Sequence, residues 1–163
     1  DGPISCSFTV VDLVKAEPFE ALSYCWGSVA ADRPIFCHGQ PFRPTENLYA
    51  ALKQLRLTSR ARYMWIDAIC INQNSILERN QQVPLMRQIY HKAKQVIVWL
   101  GGEDDTTALA LATMENIFQR CCSLWYGYDP KTCTNALQVF FRRPWFSRVW
   151  VIQEVQGCPH IIM

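Results

Sequence analysis

Apolar positions repeat with the two-residue period of strands in some segments of the chain and with the longer period of helices in others. Short apolar runs predict strands at 7–14, 20–27, 63–70, 95–100 and 160–163, and "IFCHGQPF" at 35–42 predicts a hairpin with Pro41 on an edge arm. Apolar residues three and four positions apart predict helices beginning after Thr45 and over 85–93, 103–122, 136–141 and 145–155. Strands alternating with helices predict an α/β domain with a mainly parallel sheet.

Composition narrows the class of protein. Of the 163 residues, 50% are hydrophobic and 18% are charged, so we expect one globular domain over residues 1–163, excised from a longer chain. The net charge of +2 is scattered and builds no strong basic patch, so we expect neither a nucleic acid nor a membrane as partner. Apolar runs are too short for a spanning helix and no leader opens the chain, so we expect a cytoplasmic protein.

The eight cysteines predict reduced thiols, because their spacing is irregular and a chain of this length builds its own core. Possible metal ligands occur at 37–38, 121–122 and 158–160, but the sequence contains no CxxC pair, so we predict no metal site. A nucleophilic cysteine stays an alternative, either Cys70 with His38 or His91 as base or Cys25, although a cysteine in an apolar run more often serves packing.

Polar and aromatic side chains gather where the predicted strands end. Ligands of a parallel sheet bind outside the carboxyl ends of its strands. This rule selects Tyr24 and Trp26 in one segment, and Asp67, Asn72 and Gln73 in another. A carboxylate that closes the apolar run "MWI" is costly to bury unless it is paired or hydrogen-bonded. Asp67 is therefore either a site residue or a cap for backbone N–H groups of the following loop.

A lone carboxylate, Glu154, stands among the large apolar residues of "RPWFSRVWVIQEVQ" at 143–156. Residues three, four and seven positions apart stack on a helix, so one predicted face carries Ser147, Trp150, Val151 and Glu154. Glu154 is then either a solvated glutamate near a helix end or a group held beside an indole. In the second case it would act as an acid, a nucleophile or an electrostatic partner of a sugar or cation.

Three motifs, in order along the chain, resemble one family. They are "ALSYCWG" at 21–27, "WIDAICINQNSILERNQQVPLMRQIYHKAKQVIVWLG" at 65–101 and "WFSRVWVIQEV" at 145–155. Together they resemble the HET domain, the heterokaryon incompatibility domain of filamentous fungi. The resemblance covers nearly the whole chain. It implies a role in self/non-self recognition and in cell death when different hyphae fuse, with self-association and other incompatibility proteins as partners.

The HET domain in turn is similar to the TIR domain, so the resemblance implies a flavodoxin-like sheet with an added N-terminal strand and hairpin and a helical insertion. Ser147, Trp150 and Glu154 resemble a TIR motif whose glutamate is catalytic in members that cleave NAD. On this resemblance Glu154 stabilises the oxocarbenium-like transition state as the N-glycosidic bond breaks, with NAD or a related dinucleotide as substrate and no cofactor. The substrate-binding residues are then Tyr24, Trp26, Asp67, Asn72, Gln73, Arg79 and Trp150.

A second function class stays open beside the enzyme. TIR domains also include members that signal without catalysis, by self-association, and in such a module Glu154 only shapes its helix. Exposed aromatic residues such as Trp125 and Tyr126 would then be contact residues. The two classes differ in one geometric expectation, because the enzyme requires Glu154, Trp150, Tyr24 and Asp67 to border one cleft.

Overall fold

The computed structural model describes residues 2–57, 59–118, 129–158 and 160–163. Its coordinates form two compact units, the residues up to Gly101 together with Arg148–Met163, and Gly102–Ser147. The strands in chain order are β1 (Ser5–Cys6), β2 (Glu20–Tyr24), β3 (Ile35–Cys37), β4 (Gln40–Phe42), β5 (Met64–Trp65), β6 (Gln95–Trp99) and β7 (Ile161–Ile162). The α-helices are α1 (Glu46–Leu55), α2 (Asp67–Cys70), α3 (Ile76–Gln82), α4 (Met86–Lys92), α5 (Thr107–Phe118), α6 (Pro130–Phe141) and α7 (Val151–Val155).

A parallel four-stranded sheet lies at the centre of the first unit, in the order β5-β2-β6-β7. If the four strands of this sheet are numbered 1 to 4 along the chain, their order across the sheet is 2-1-3-4. The residues of β2 from Ala21 onward and the middle of β6 are buried, as expected of strands covered on both faces. The unit is thus an α/β fold with a parallel sheet flanked by helices, which confirms the fold class predicted from the periodicity.

Helix α1 packs against one face of this sheet. Its predicted N-cap is confirmed, because the Thr45 hydroxyl accepts a hydrogen bond from the Leu48 amide at 3.4 Å. The buried cluster between helix and sheet consists of Leu22, Tyr24, Leu48, Ala51, Ile66 and Ile97. Each large apolar side chain in such a cluster contributes about 1.5–3 kcal/mol by leaving water. Side chains alternate along a strand, so Ser23 points to the opposite face.

A second, smaller sheet in the same unit joins β1, β3 and β4. The predicted hairpin is confirmed, with β3 and β4 antiparallel and Pro41 in the edge strand β4. The strand predicted at 7–14 is wrong, since only Ser5–Cys6 pairs, in parallel with β3. Val10 is 99% exposed and Val14 is 76% exposed. Their apolar side chains have no facing surface that would hold an extended strand in place.

Two further predictions about element bounds are wrong for local reasons. The predicted strand at 63–70 stops at Trp65 and α2 begins at Asp67, whose carboxylate accepts a hydrogen bond from the Ala68 amide at 2.7 Å. The predicted helix at 136–141 begins earlier, at Pro130. Asp129 caps it by accepting from the amides of Lys131 and Thr132, and proline suits the first helical position.

The second unit contains α5, α6 and a 3-10 turn at Pro144–Ser147. The two helices pack against each other. Arg143 donates to the Asp104 carboxylate at 2.8 Å and to the Thr107 hydroxyl at 2.7 Å, which ties the end of α6 to the start of α5. The helical insertion expected between the third strand and Glu154 therefore exists as a helix pair. None of the described helices is long and apolar enough to cross a bilayer.

Candidate functional site

Glu154 is a buried carboxylate, with 1% of the residue exposed. Arg148 forms a bidentate pair with the Glu154 carboxylate. Nη2 donates to Oε1 at 2.8 Å and Nη1 donates to Oε2 at 3.1 Å. The Ser23 hydroxyl donates a third hydrogen bond to Oε2. A two-pronged guanidinium–carboxylate pair of this kind is among the strong, geometrically specific hydrogen-bonded contacts in proteins. The interpretation of Glu154 as a solvated glutamate near a helix end is therefore wrong.

Backbone geometry brings these three side chains together in a way that the predicted helix does not. A continuous helix over 145–155 is wrong, since the 3-10 turn ends at Ser147 and α7 begins at Val151. The Ser147 hydroxyl donates to the Pro144 carbonyl at 2.8 Å, a local bond that competes with helix formation. Ser147 thus does not share a helical face with Glu154. The serine that contacts the carboxylate is Ser23, from β2.

Asp67 forms a second buried carboxylate, 8% exposed, at the start of α2. The Trp26 indole N–H donates to Oδ2 at 2.7 Å and the Ala68 amide donates to Oδ1 at 2.7 Å. The Asp67 carbonyl also accepts from Gln73 Nε2 at 2.9 Å. Burial raises the pKa of Asp67, and the hydrogen bonds from Trp26 and Ala68 oppose that shift. Among the described residues the Asp67 carboxylate accepts one backbone N–H, that of Ala68 in α2, which agrees only in part with its interpretation as a cap for the following loop.

The two carboxylates belong to one electrostatic neighbourhood. The negative charge of Glu154 adds to the rise in the pKa of Asp67, while the positive charge of Arg148 lowers it. At Cys25, which follows β2, burial raises the pKa of the thiol, Arg148 lowers it and Glu154 raises it. For Arg148, burial disfavours the charged form, but Glu154 more than compensates and the pKa of the guanidinium is raised. All four groups gather near the carboxyl end of β2.

Tyr24 carries an unsatisfied polar atom within this neighbourhood. The residue is 2% exposed, and among the described residues its hydroxyl has no hydrogen-bond partner of normal geometry, although the Asp67 carboxylate is adjacent. Burial raises the pKa of Tyr24 most, and the adjacent Asp67 carboxylate raises it further. The buried hydroxyl of Tyr90 differs, because it donates to the Leu22 carbonyl at 3.0 Å. A buried hydroxyl without a partner is costly, and a bound ligand would relieve that cost.

A cleft of about 320 Å³ opens beside Tyr24 and Trp26, between the end of β2 and the loop that follows α2. Its wall combines apolar and aromatic surface with three side-chain amides, a mixture typical of small-molecule sites. The lining residues are Tyr24, Trp26, Phe42, Arg43, Pro44, Thr45, Leu48, Ala68, Ile69, Ile71, Asn72, Gln73 and Asn74.

The structure brings some of the predicted site residues together and leaves others apart. Four of them line the cleft, namely Tyr24, Trp26, Asn72 and Gln73. Asp67 adjoins the cleft through its hydrogen bonds to Trp26 and Gln73 but does not line it. Glu154, Trp150 and Arg79 are also outside this lining, so this cleft does not meet the expectation that Glu154, Trp150, Tyr24 and Asp67 border one cleft. Trp150 is 47% exposed at the start of α7, and Arg79 is exposed on α3.

Two residues of the Glu154 cluster were missed by the sequence analysis. Arg148 lies six positions before Glu154 in the same motif, a spacing that no continuous helix would bring into contact. Ser23 sits inside the buried run "ALSY", where a hydroxyl between apolar neighbours needs a hydrogen-bond partner. The sequence therefore signals that Ser23 needs a partner. It does not identify Glu154 as that partner, because the two residues are 131 positions apart.

Other chemistries find less support in this region. Burial raises the pKa of both Cys70 and Cys25, which disfavours the nucleophilic thiolate. Within the described part of the chain neither thiol is hydrogen-bonded to a histidine. The same residues also contain no cluster of three or more potential metal ligands. Residues 121–122, proposed as possible ligands, and Trp125 and Tyr126, proposed as contact residues, lie outside the described residues.

Comparison with known proteins gives two matches. A family model described as "Heterokaryon incompatibility protein (HET)" matches residues 19–154. The chain is also similar to "Heterokaryon incompatibility protein 6, OR allele" of Neurospora crassa, with 28% identity over a 203-residue alignment that covers 96% of this chain. The alignment covers 30% of that relative, so the chain spans about a third of its length. No solved structure matches the chain.

Proposed function

The chain belongs to the heterokaryon incompatibility (HET) family, and on that premise we propose that it acts in self/non-self recognition as a NAD glycohydrolase. In the proposed reaction, water replaces nicotinamide at the anomeric carbon of the ribose. The products are nicotinamide, ADP-ribose and a proton, and loss of the dinucleotide leads to cell death. The burial of Glu154 at the carboxyl end of the sheet is the observation that carries this proposal.

A buried carboxylate suits this chemistry for a physical reason. Positive charge develops on the ribose as the C–N bond breaks, and an aligned carboxylate stabilises that charge more strongly where water is excluded. Nicotinamide becomes neutral on leaving, so the step needs no strong general acid. Ser23 holds Glu154 in one orientation, which lowers the cost of reorganisation during the reaction. Ser23 is a positioning residue in this proposal, and Arg148 is the partner of Glu154 before substrate binds.

The sheet order supports the TIR-like part of the proposal. Flavodoxin-like sheets begin with the same strand order, 2-1-3-4. Ligands of such sheets bind outside the carboxyl ends of the strands. Glu154 lies on α7, between the third and fourth strands of this sheet. This is the position that the resemblance to NAD-cleaving TIR domains implies for the catalytic glutamate.

Catalysis in this proposal requires a movement of Arg148. Both oxygens of Glu154 are occupied by Arg148 and Ser23, so the ribose gains access to the carboxylate only when Arg148 withdraws. The Arg148 side chain is 21% exposed whereas that of Glu154 is 1% exposed, so the arginine is the partner that solvent and substrate reach first. The diphosphate of a dinucleotide offers Arg148 an alternative partner, because guanidinium also binds phosphate with two parallel hydrogen bonds.

The cleft supplies the remaining contacts of the proposed substrate. Trp26 offers a half-buried indole on which a planar base stacks, and Asn72 and Gln73 offer amides for its polar edge. Tyr24 contributes the hydroxyl that lacks a partner. Side chains of Tyr24 and Ser23 point to opposite faces of β2. The proposed dinucleotide therefore reaches from the cleft to Glu154 across the strand ends. Arg79 and Trp150 stay predicted binding residues.

Nicotinamide release from NAD tests the proposal. We expect Glu154→Gln to lower the rate about 100-fold or more, because it removes the charge but keeps the shape. Glu17→Gln, a change at an exposed glutamate, is the matched control and should leave the rate unaltered. Thermal unfolding of each variant separates lost chemistry from lost structure. An unaltered rate in a folded Glu154→Gln variant contradicts the proposal, as does a flat trace from both the full-length parent and a forced oligomer.

A second candidate function is a non-catalytic module that signals by self-association. The same cluster favours it in one respect, since a carboxylate whose oxygens are both occupied also serves to fix α7 to β2. This candidate predicts that Glu154→Gln lowers stability in proportion to any loss of signalling. It also predicts that no preparation of the parent protein releases nicotinamide.

A further inference from the structure

Two cysteines meet in the smaller sheet. Cys6 of β1 and Cys37 of β3 are register partners in a parallel ladder, so their side chains project from the same face. The Cys6 Sγ donates to the Cys37 Sγ across 3.0 Å. Backbone hydrogen bonds hold the strands together at this point, from the Phe36 amide to the Ile4 carbonyl at 2.9 Å and from the His38 amide to the Cys6 carbonyl at 3.0 Å.

We propose that Cys6 and Cys37 are an oxidative modification site, where a peroxide converts the two thiols into an intramolecular disulfide. The sulfur atoms need to approach by about 1 Å to reach bonding distance. The strands are already aligned, so side-chain rotation within the pair supplies most of this movement. The proposal does not depend on NAD cleavage. It also refines the expectation of reduced thiols, because the cysteines rest as thiols and form the bond only when an oxidant is present.

The environments of the two thiols set the order of the steps. Cys6 is partly exposed, whereas Cys37 is 8% exposed. Burial, and then the hydrogen bond with Cys6, raise the pKa of the Cys37 thiol to about 12. Because the thiolate is the reactive form, Cys6 is the thiol that the peroxide meets first.

The chemistry balances with a peroxide as the oxidant. The Cys6 thiolate attacks one peroxide oxygen, which breaks the O–O bond, forms a sulfenic acid and releases hydroxide. The Cys37 sulfur then attacks the Cys6 sulfur and displaces a second hydroxide. The two protons lost by the thiols convert both hydroxides into water. Each sulfur loses one electron and the peroxide gains two.

A disulfide at this position would staple the N-terminal segment to the body of the unit. β1 contributes only Ser5–Cys6 to the sheet, and Val10 and Val14 beyond it are largely exposed. The bond would span 31 positions of sequence, which removes freedom from the unfolded chain. Oxidation is therefore expected to raise Tm by several degrees and to slow amide exchange at residues 4–8.

Peptide mapping of the native chain after treatment with hydrogen peroxide tests the proposal. Trypsin leaves Cys6 on the peptide ending at Lys15 and Cys37 on the peptide ending at Lys53, since both arginines between them precede proline. We expect a linked species of these two peptides, two hydrogen masses lighter than their sum. Reduction should separate it. Cys25 lies on the same peptide as Cys37, so Cys25→Ser is the matched control.

The variants give each outcome a meaning. Cys37→Ser and Cys6→Ser should abolish the linked species, while Cys25→Ser should leave it unchanged. Cys70 influences the pKa of Cys37 and is a second possible competitor. A link that involves Cys70 or Cys25 overturns the proposal. So does the finding that Cys6 proceeds to sulfinic acid in the native chain without any link to Cys37.

Discussion

The two buried carboxylates of the first unit, Glu154 and Asp67, have different kinds of hydrogen-bond donor. Glu154 is held by a cation, Arg148, and by the Ser23 hydroxyl. Asp67 is held by neutral donors, the Trp26 indole and the Ala68 amide. Both are acidic groups near the carboxyl end of one sheet. Only Glu154 depends on a charged partner that is itself partly exposed.

This difference indicates separate roles for the two groups. The donors of Asp67 belong to the backbone of α2 and to an indole in the cleft wall, so they organise the loop and are fixed by the fold. The main partner of Glu154 is a long side chain that is free to exchange one anion for another. A buried carboxylate that is paired with one long, partly exposed arginine suits a reactive group. A carboxylate held by the backbone suits a structural group.

The largest expected effect comes from removing the cation. Arg148→Ala leaves Glu154 buried with the Ser23 hydroxyl as its remaining hydrogen-bond donor among the described side chains, and breaking a buried ion pair in this way typically costs about 3–5 kcal/mol. We expect that loss in the free energy of unfolding, measured with urea at neutral pH. The double variant Arg148→Ala with Glu154→Gln should recover part of the loss, because the unpaired charge is gone. A loss below about 1 kcal/mol in Arg148→Ala is typical of surface ion pairs. Such a loss would contradict the inference that Glu154 depends on Arg148 as a charged partner.

A smaller effect distinguishes two buried tyrosines near the carboxylates. Tyr90→Phe removes a hydrogen bond to the Leu22 carbonyl, so we expect a loss of about 1 kcal/mol. Tyr24→Phe removes a hydroxyl that has no partner of normal geometry among the described residues, so we expect no loss or a small gain in stability. Urea unfolding of the pair measures both. Equal losses would mean that the Tyr24 hydroxyl is satisfied, and the argument that it awaits a ligand would fail. If the enzyme proposal holds, Tyr24→Phe should also raise KM for NAD.

Much of the sheet was predictable from sequence, because its strands are short apolar runs with a clear period. β2, β6, β7 and the hairpin of β3 and β4 all follow from that pattern. The errors occur where side-chain hydrogen bonds redirect the backbone. α2 begins at Asp67 inside an apolar run, and Asp129 caps α6, which begins six positions before the predicted helix. Such caps depend on one or two atoms, which hydrophobic periodicity does not record.

The candidate site was predictable only in part. Residues next to strand ends, such as Tyr24 and Trp26, follow from the rule that ligands bind at the carboxyl ends of parallel strands. The burial of Glu154 does not follow from its helix, because α7 spans only Val151–Val155 and its spacing gives no continuous face with Ser147. The contacts to Ser23 and Arg148 decide its environment. They depend on long-range packing and on an irregular backbone turn, and neither has a sequence period.

The smallest expected effect is a pH dependence carried by Asp67. Burial raises the pKa of Asp67 above its usual 3.8, so the folded state keeps the proton at a higher pH than the unfolded state does. This contribution to stability is fully present below pH 3.8 and is lost as the pH rises through the folded-state pKa. Asp67→Asn does not titrate. The unfolding free energy of the native chain minus that of Asp67→Asn should therefore fall as the pH rises.

Asp104 supplies a control of opposite sign for this measurement. Hydrogen bonds from Thr106 and Arg143 lower the pKa of this exposed carboxyl, so its contribution is present above the unfolded-state pKa and is lost as the pH falls. The unfolding free energy of the native chain minus that of Asp104→Asn should therefore grow as the pH rises. If the Asp67 difference also grows with pH, the donors Trp26 and Ala68 outweigh burial. Asp67 would then be charged in the folded state, as its hydrogen-bond donors favour. It would differ from Glu154 only in which groups donate hydrogen bonds to it.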